Sequence, residues 1–138
     1  MKYRNHVKRD ALLAALALML LMLVTPAASS AFEISIDVAP YVLNIHSDEE
    51  EVTVHTSLPY EDVEAHTVYL NGVQISSWKA DNRGNFVAKF IMEDIMTLPL
   101  YYNDYNSLTL DGITVDDEPF FGQADIMVIN VIPTVDQE

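Results

Sequence analysis

The chain has no cysteine. Disulfide frameworks and thiolate chemistry are therefore excluded. Basic residues are scarce: there are 7 Lys and Arg against 21 Asp and Glu. Four of the bases, Lys2, Arg4, Lys8 and Arg9, crowd the amino terminus. From Phe32 onward only Lys79, Arg83 and Lys89 remain, against 20 acids, for a net charge of −17. Such a surface cannot neutralise phosphates, so neither a nucleic acid nor an anionic membrane is an expected partner. Catalytic signatures are missing too. There is no G-x-S-x-G and no H-E-x-x-H, and chance acid pairs do not make an active site. No enzyme is expected.

Long hydrophobic runs are nearly absent as well. Ala11 to Val24 gives fourteen apolar residues, short of the roughly 20 that span a bilayer. It follows the basic stretch and precedes Pro26 and the small residues Ala27 to Ala31. That order is a secretory signal peptide with cleavage between Ala31 and Phe32. The mature product is expected in the periplasm, at the cell surface or secreted. Residues 32–132 are the expected domain, and 133–138 a tail.

What is abundant is strand pattern. Glu33 to Val38 alternates polar and apolar residues, with Ile34, Ile36 and Val38 on one face. Pro40 interrupts the pattern and fits an edge or a sheet switch. Tyr41–Ile45 and Val52–Thr56 follow, separated by the acidic turn Ser47–Glu51. Leu58–Ala65 reads as a connection. Thr67–Leu70 and Val73–Ile75 flank Asn71-Gly72, the signal of a type I′ hairpin. Trp78–Ala80 and Phe86–Phe90 flank a second, Gly-containing turn. Ile91–Leu98 has apolar residues four apart and predicts a short helical crossover ended by Pro99. Ser107–Leu110, Ile113–Val115 and Ile126–Ile132 complete the strands. Short strands with a turn every eight to twelve residues predict an all-β, single antiparallel sandwich, with a small barrel as the alternative. Phe32–Val38 and Ile126–Ile132 are either internal pairs or edges open to a donated strand.

Three of these segments carry a resemblance. Thr67-Val68-Tyr69-Leu70-Asn71-Gly72-Val73, Asp81-Asn82-Arg83-Gly84-Asn85-Phe86 and Asn106-Ser107-Leu108-Thr109-Leu110 resemble, in order, the T-V-x-x-N-G, D-x-x-G-x-F and N-x-L-T-V strands of exported bacterial immunoglobulin-like domains. The opening Ile34-Ser35-Ile36-Asp37-Val38-Ala39-Pro40 is similar to the I-D-I-K-P-G start of one such module. Ala39 stands where that module has Lys, and Tyr41 where it has Gly. Its D-G-D-G loop is here Asp81-Asn82-Arg83-Gly84, with a positive charge inserted. The resemblance implies an immunoglobulin-like sandwich with a binding or structural role outside the cytoplasm.

Candidate sites are few. Tyr101, Tyr102 and Tyr105 share one loop with Asn103, Asp104 and Asn106. Flat rings beside amides and carboxylates suit a sugar face or a protein partner. Trp78, the single tryptophan, is expected in the core, with the ligand site as its other place. Asp81, Asn85, Asp111, Asp116 and Asp117 are candidate oxygen ligands for Ca²⁺; no other cofactor is expected. Against this stands the reading of a solvated acidic coat, since no D-x-[DN]-x-[DN]-G loop is present. His46, His55 and His66 lack zinc spacing, and His55 is expected to face water. Self-association remains open.

Overall fold

The computed structural model describes residues 30–134. The expected signal peptide therefore lies outside the described residues except for Ser30 and Ala31, and the end of the tail lies outside as well.

The described chain is all-β, two sheets packed as a sandwich. Its strands are β1 (Phe32–Glu33), β2 (Ile36–Ala39), β3 (Val42–Asn44), β4 (Glu51–Pro59), β5 (Val63–Leu70), β6 (Val73–Gln74), β7 (Ser77–Ala80), β8 (Asn85–Ile91), β9 (Asp104–Thr114) and β10 (Pro119–Ile129). One sheet has the order β1-β10-β9-β5-β6, with β3 also on β10. The other has the order β2-β4-β8-β7. The inner faces supply one core. Leu43, Val68, Leu70, Leu108, Leu110, Phe120, Ile126 and Val128 come from the first sheet, and Val52, Val54, Phe86, Ala88 and Phe90 from the second. All are essentially sealed from water.

The amino-terminal stretch alternates as its sequence predicts. Ile34 and Val38 are buried and Glu33, Ser35 and Asp37 exposed. It is nevertheless not one strand. β1 lies on β10, and β2 crosses to pair with β4 in the other sheet. Gly122 makes the crossing possible. A Cβ there would stand 2.6 Å from Ile36 Cγ2 and 3.0 Å from the Ile34 carbonyl oxygen. Beyond the cis Ala39–Pro40 bond the chain returns to the first sheet as β3, so Pro40 marks a sheet switch. Both β1 and β3 run parallel to β10. The expectation of purely antiparallel pairing is corrected at this border. It also covers the outer side of β10, so the long apolar strand is internal.

Other boundaries move for identifiable reasons. β9 continues through Asp111-Gly112, where the sequence suggests a break. Gly112 faces the Phe120 ring, and a Cβ would stand 2.7 Å from Phe120 Cζ. β10 begins at Pro119, well before Ile126. The connection expected over Leu58–Ala65 narrows to a 3₁₀ turn at Tyr60–Asp62. Two register shifts are closed by threonine hydroxyls. In β4, Thr56 donates to the Phe86 carbonyl (2.8 Å) and accepts from Leu58 N–H (3.2 Å). In β5, Thr67 donates to the Glu64 carbonyl (2.7 Å) and accepts from Ile113 N–H (2.9 Å). Each hydroxyl satisfies backbone groups that a bulge would orphan. The helical crossover is a single turn, α1 (Met92–Ile95), which buries Met92 and Ile95 and carries the chain from one sheet to the other.

Candidate functional site

Strand direction sorts the loops into two groups. The starts of β4 and β9 and the ends of β3, β8 and β10 fall at one end of the sandwich. The tyrosine loop is there. The turns Asp81–Gly84 and Val115–Glu118 fall at the other end, each hydrogen-bonded to the Tyr60–Asp62 turn.

The tyrosine loop is built on Asn106. Asparagine in a strand interior is disfavoured unless its amide is used. Here the side chain is buried, with 7% exposure. Its Oδ1 accepts from Tyr101 N–H (2.8 Å), and its Nδ2 donates to the Tyr101 carbonyl (2.8 Å) and the Asp104 carbonyl (3.2 Å). One side chain thereby holds both ends of the 101–104 turn. Asn103 takes the left-handed conformation the turn requires, φ 58°, and its N–H donates to the Val128 carbonyl. Asparagine is among the few residues that adopt it cheaply.

With the backbone fixed, the rings point outward. Tyr101 is 73% exposed, and Tyr102 and Tyr105 are 54% exposed. A fourth ring joins them from a distant part of the chain. Met127 is opposite Tyr105 on one side and Val42 on the other, and its N–H donates to the Tyr41 carbonyl. Tyr41, 57% exposed, thus stands beside Tyr105. The Tyr41 hydroxyl is pushed above its usual pKa, first by hydrogen bonding to the Tyr105 hydroxyl and then by that group's charge, burial and Asp125. The result is an apolar-aromatic platform of Tyr41, Val42 and Tyr105 beside Asp125, continued along the chain by the exposed turn that carries Tyr101, Tyr102, Asn103 and Asp104. Sequence reasoning missed Tyr41, because only the parallel register of β3 on β10 brings it there.

Trp78 does not join this platform. It lies on β7 in the other sheet, half-buried against the core, and its ring meets His66 edge-on at 4.9 Å. It packs against the core from the border of the sandwich and stays half-buried, since an edge strand covers it on one side only.

The five candidate calcium ligands are dispersed. Asp81 and Asn85 flank the β7–β8 turn. Asp81 Oδ1 already accepts from Arg83 N–H (2.8 Å) and Asn85 N–H (2.9 Å). The Asn85 amide is the main cause of the lowered Asp81 pKa, and the Arg83 amide, His55 and the Arg83 charge act in the same direction. Asp111 is in the middle of β9, between Phe121 and Tyr69, and burial raises its pKa. Asp116 and Asp117 lie in the β9–β10 turn, where Asp117 has φ 61°. Among the described residues, no three His, Cys, Asp or Glu side chains are placed to hold a metal ion. His55 is exposed on the outer face of its sheet, as its alternation predicts.

No protein-family model matches the chain, and no curated protein or solved structure matches it.

Proposed function

We propose that the chain is an exported, non-catalytic binding module of immunoglobulin-like type, with the tyrosine platform as its ligand face. The observation that carries this reading is the contrast at the 101–105 loop. Its backbone is locked by a buried asparagine, while its rings are left in water. Exposed aromatic surface adds nothing to folding, and ordering a loop beforehand lowers the cost of binding. The ligand chemistry that suits the platform is a neutral saccharide. Tyrosine rings cover the C–H faces of a pyranose, and Asn103, Asp104 and Asp125 hydrogen-bond its hydroxyls. The acidic surroundings disfavour uronic or sulfated sugars by like-charge repulsion.

Export rests on the Lys2–Arg9, Ala11–Val24 and Ala27–Ala31 sequence. Recovery outside the cytoplasm with Phe32 as the first residue is the expected outcome. The ligand face is tested by retention in gels cast with neutral polysaccharides. The parent protein is retarded, and a Tyr101→Ala, Tyr102→Ala, Tyr105→Ala variant runs freely. Equal mobility of the two in every polysaccharide would reject the platform as a glycan face.

A further inference from the structure

A second surface at the same end does not depend on the platform. The β3–β4 loop and α1 enclose an open groove of about 490 Å³. Its lining combines apolar side chains, Ile45, Ile91 and Met96, with the carboxylates of Glu49, Glu50 and Glu93. The groove is held in shape by Met92 N–H donating to the Glu50 carbonyl at 2.8 Å. Ile91 remains 44% exposed although it ends an interior strand.

We infer that this groove docks a cationic segment of a partner polypeptide, one that alternates Lys or Arg with aliphatic side chains. Charge complementarity selects the occupant. Glu51 also lines the groove, but Lys89 pairs with it at 2.9 Å, which is the one ion pair among the described residues. Glu49, Glu50 and Glu93 have no such cation. Lys79 is on an outer strand of the second sheet and Arg83 is at the far end. The carboxylates do not converge as a metal site. They come from two separate elements, the β3–β4 loop and α1, which suits several cationic groups on one chain rather than one ion. A purely ionic ligand would leave the apolar part of the lining unused. Aliphatic side chains cover it, and methionine adapts to their shape. A second copy of this chain is a poor occupant, because its described part carries three bases and none is followed by an exposed aliphatic run. The acidic field draws a basic segment in from solution, and binding then falls with ionic strength.

The test uses the purified protein and a labelled octapeptide of alternating Lys and Leu, followed by fluorescence anisotropy. Octalysine and an alternating Glu-Leu peptide are the controls. The Lys-Leu peptide is expected to bind at least tenfold more tightly than octalysine, with no binding of the Glu-Leu peptide. A Glu49→Gln, Glu50→Gln, Glu93→Gln variant should lose tenfold or more. A variant with the same charge change elsewhere, Asp111→Asn, Asp116→Asn, Asp117→Asn, should change less than twofold. Glu49, Glu50 and Glu93 are exposed, so the groove variant is expected to melt near the parent, and the control variant at or above it because burial disfavours the Asp111 carboxylate. Equal weakening by the two triple variants, or equal affinity for octalysine, would overturn the proposal. The acidic coat alone would then account for the binding.

Discussion

Asn106→Ala removes the one side chain that spans the tyrosine loop. Three hydrogen bonds are lost, two at 2.8 Å and one at 3.2 Å. A buried hydrogen bond contributes about 0.5–1.5 kcal/mol net. Tyr101 and Asp104 are exposed, so water takes over part of what their backbone groups lose. The expected cost is therefore about 2 kcal/mol rather than the sum of three full bonds. At this chain length that corresponds to a midpoint lower by about 8 °C. Asn106→Asp makes a sharper comparison. It keeps the acceptor for Tyr101 N–H but sets a carboxylate against two carbonyl oxygens. At neutral pH it should cost more than alanine. The new carboxyl is held above the usual carboxylate range, so its penalty is present at high pH and fades as it protonates on acidification. Near-UV circular dichroism follows the melts, and polysaccharide retention follows the site. Both variants should lose retention with all four tyrosines in place. An Asn106→Ala protein that melts with its parent and is retained equally would refute the reasoning, because the loop would then be held by something else.

Gly112→Ala and Gly122→Ala each drive a methyl group into side chains within 2.7 Å; each should cost about 1–3 kcal/mol in a denaturant titration. Asp111→Asn should stabilise the protein at pH 7. The raised pKa means the folded state disfavours the carboxylate, so the gain is full above the folded pKa and disappears below about pH 4. Asp81→Ala should behave in the opposite sense. The lowered pKa makes the parent more stable at neutral pH, and the difference should shrink as acid protonates the carboxyl below about pH 4. Melts at several pH values check both, and parallel pH curves for parent and variant would contradict either.

Local periodicity carried much of the fold. Asn71-Gly72 specifies its hairpin by itself, and both residues have positive φ, 46° and 83°. The same asparagine then reaches β9, accepting from Thr109 N–H at 2.7 Å, which no hairpin signal announces. Pro40 marks a change of direction because a strand interior cannot use a residue without an N–H. Alternation says which face a residue occupies but not which sheet it belongs to. Ile34 and Val38 are both buried, yet the strands on either side of Ser35 belong to different sheets. That division depends on Gly122, almost ninety residues later. Continuity through Asp111-Gly112 likewise depends on the Phe120 ring across the hairpin. Threonines 56 and 67 read as ordinary strand residues, and only their bulges turn them into backbone partners. At the site, Tyr101, Tyr102 and Tyr105 were legible as a cluster because they are neighbours in sequence. Tyr41 was not, since its place depends on strand register. Asn106 was legible as a polar neighbour of the rings rather than as their support.

The most direct test of the tyrosine platform is an amide chemical-shift map of the protein titrated with a soluble neutral oligosaccharide. The account predicts that shifts concentrate at residues 41–42, 101–105 and 125–127, and that they saturate together. Shifts confined to the opposite end, around 81–85 and 115–118, would contradict it.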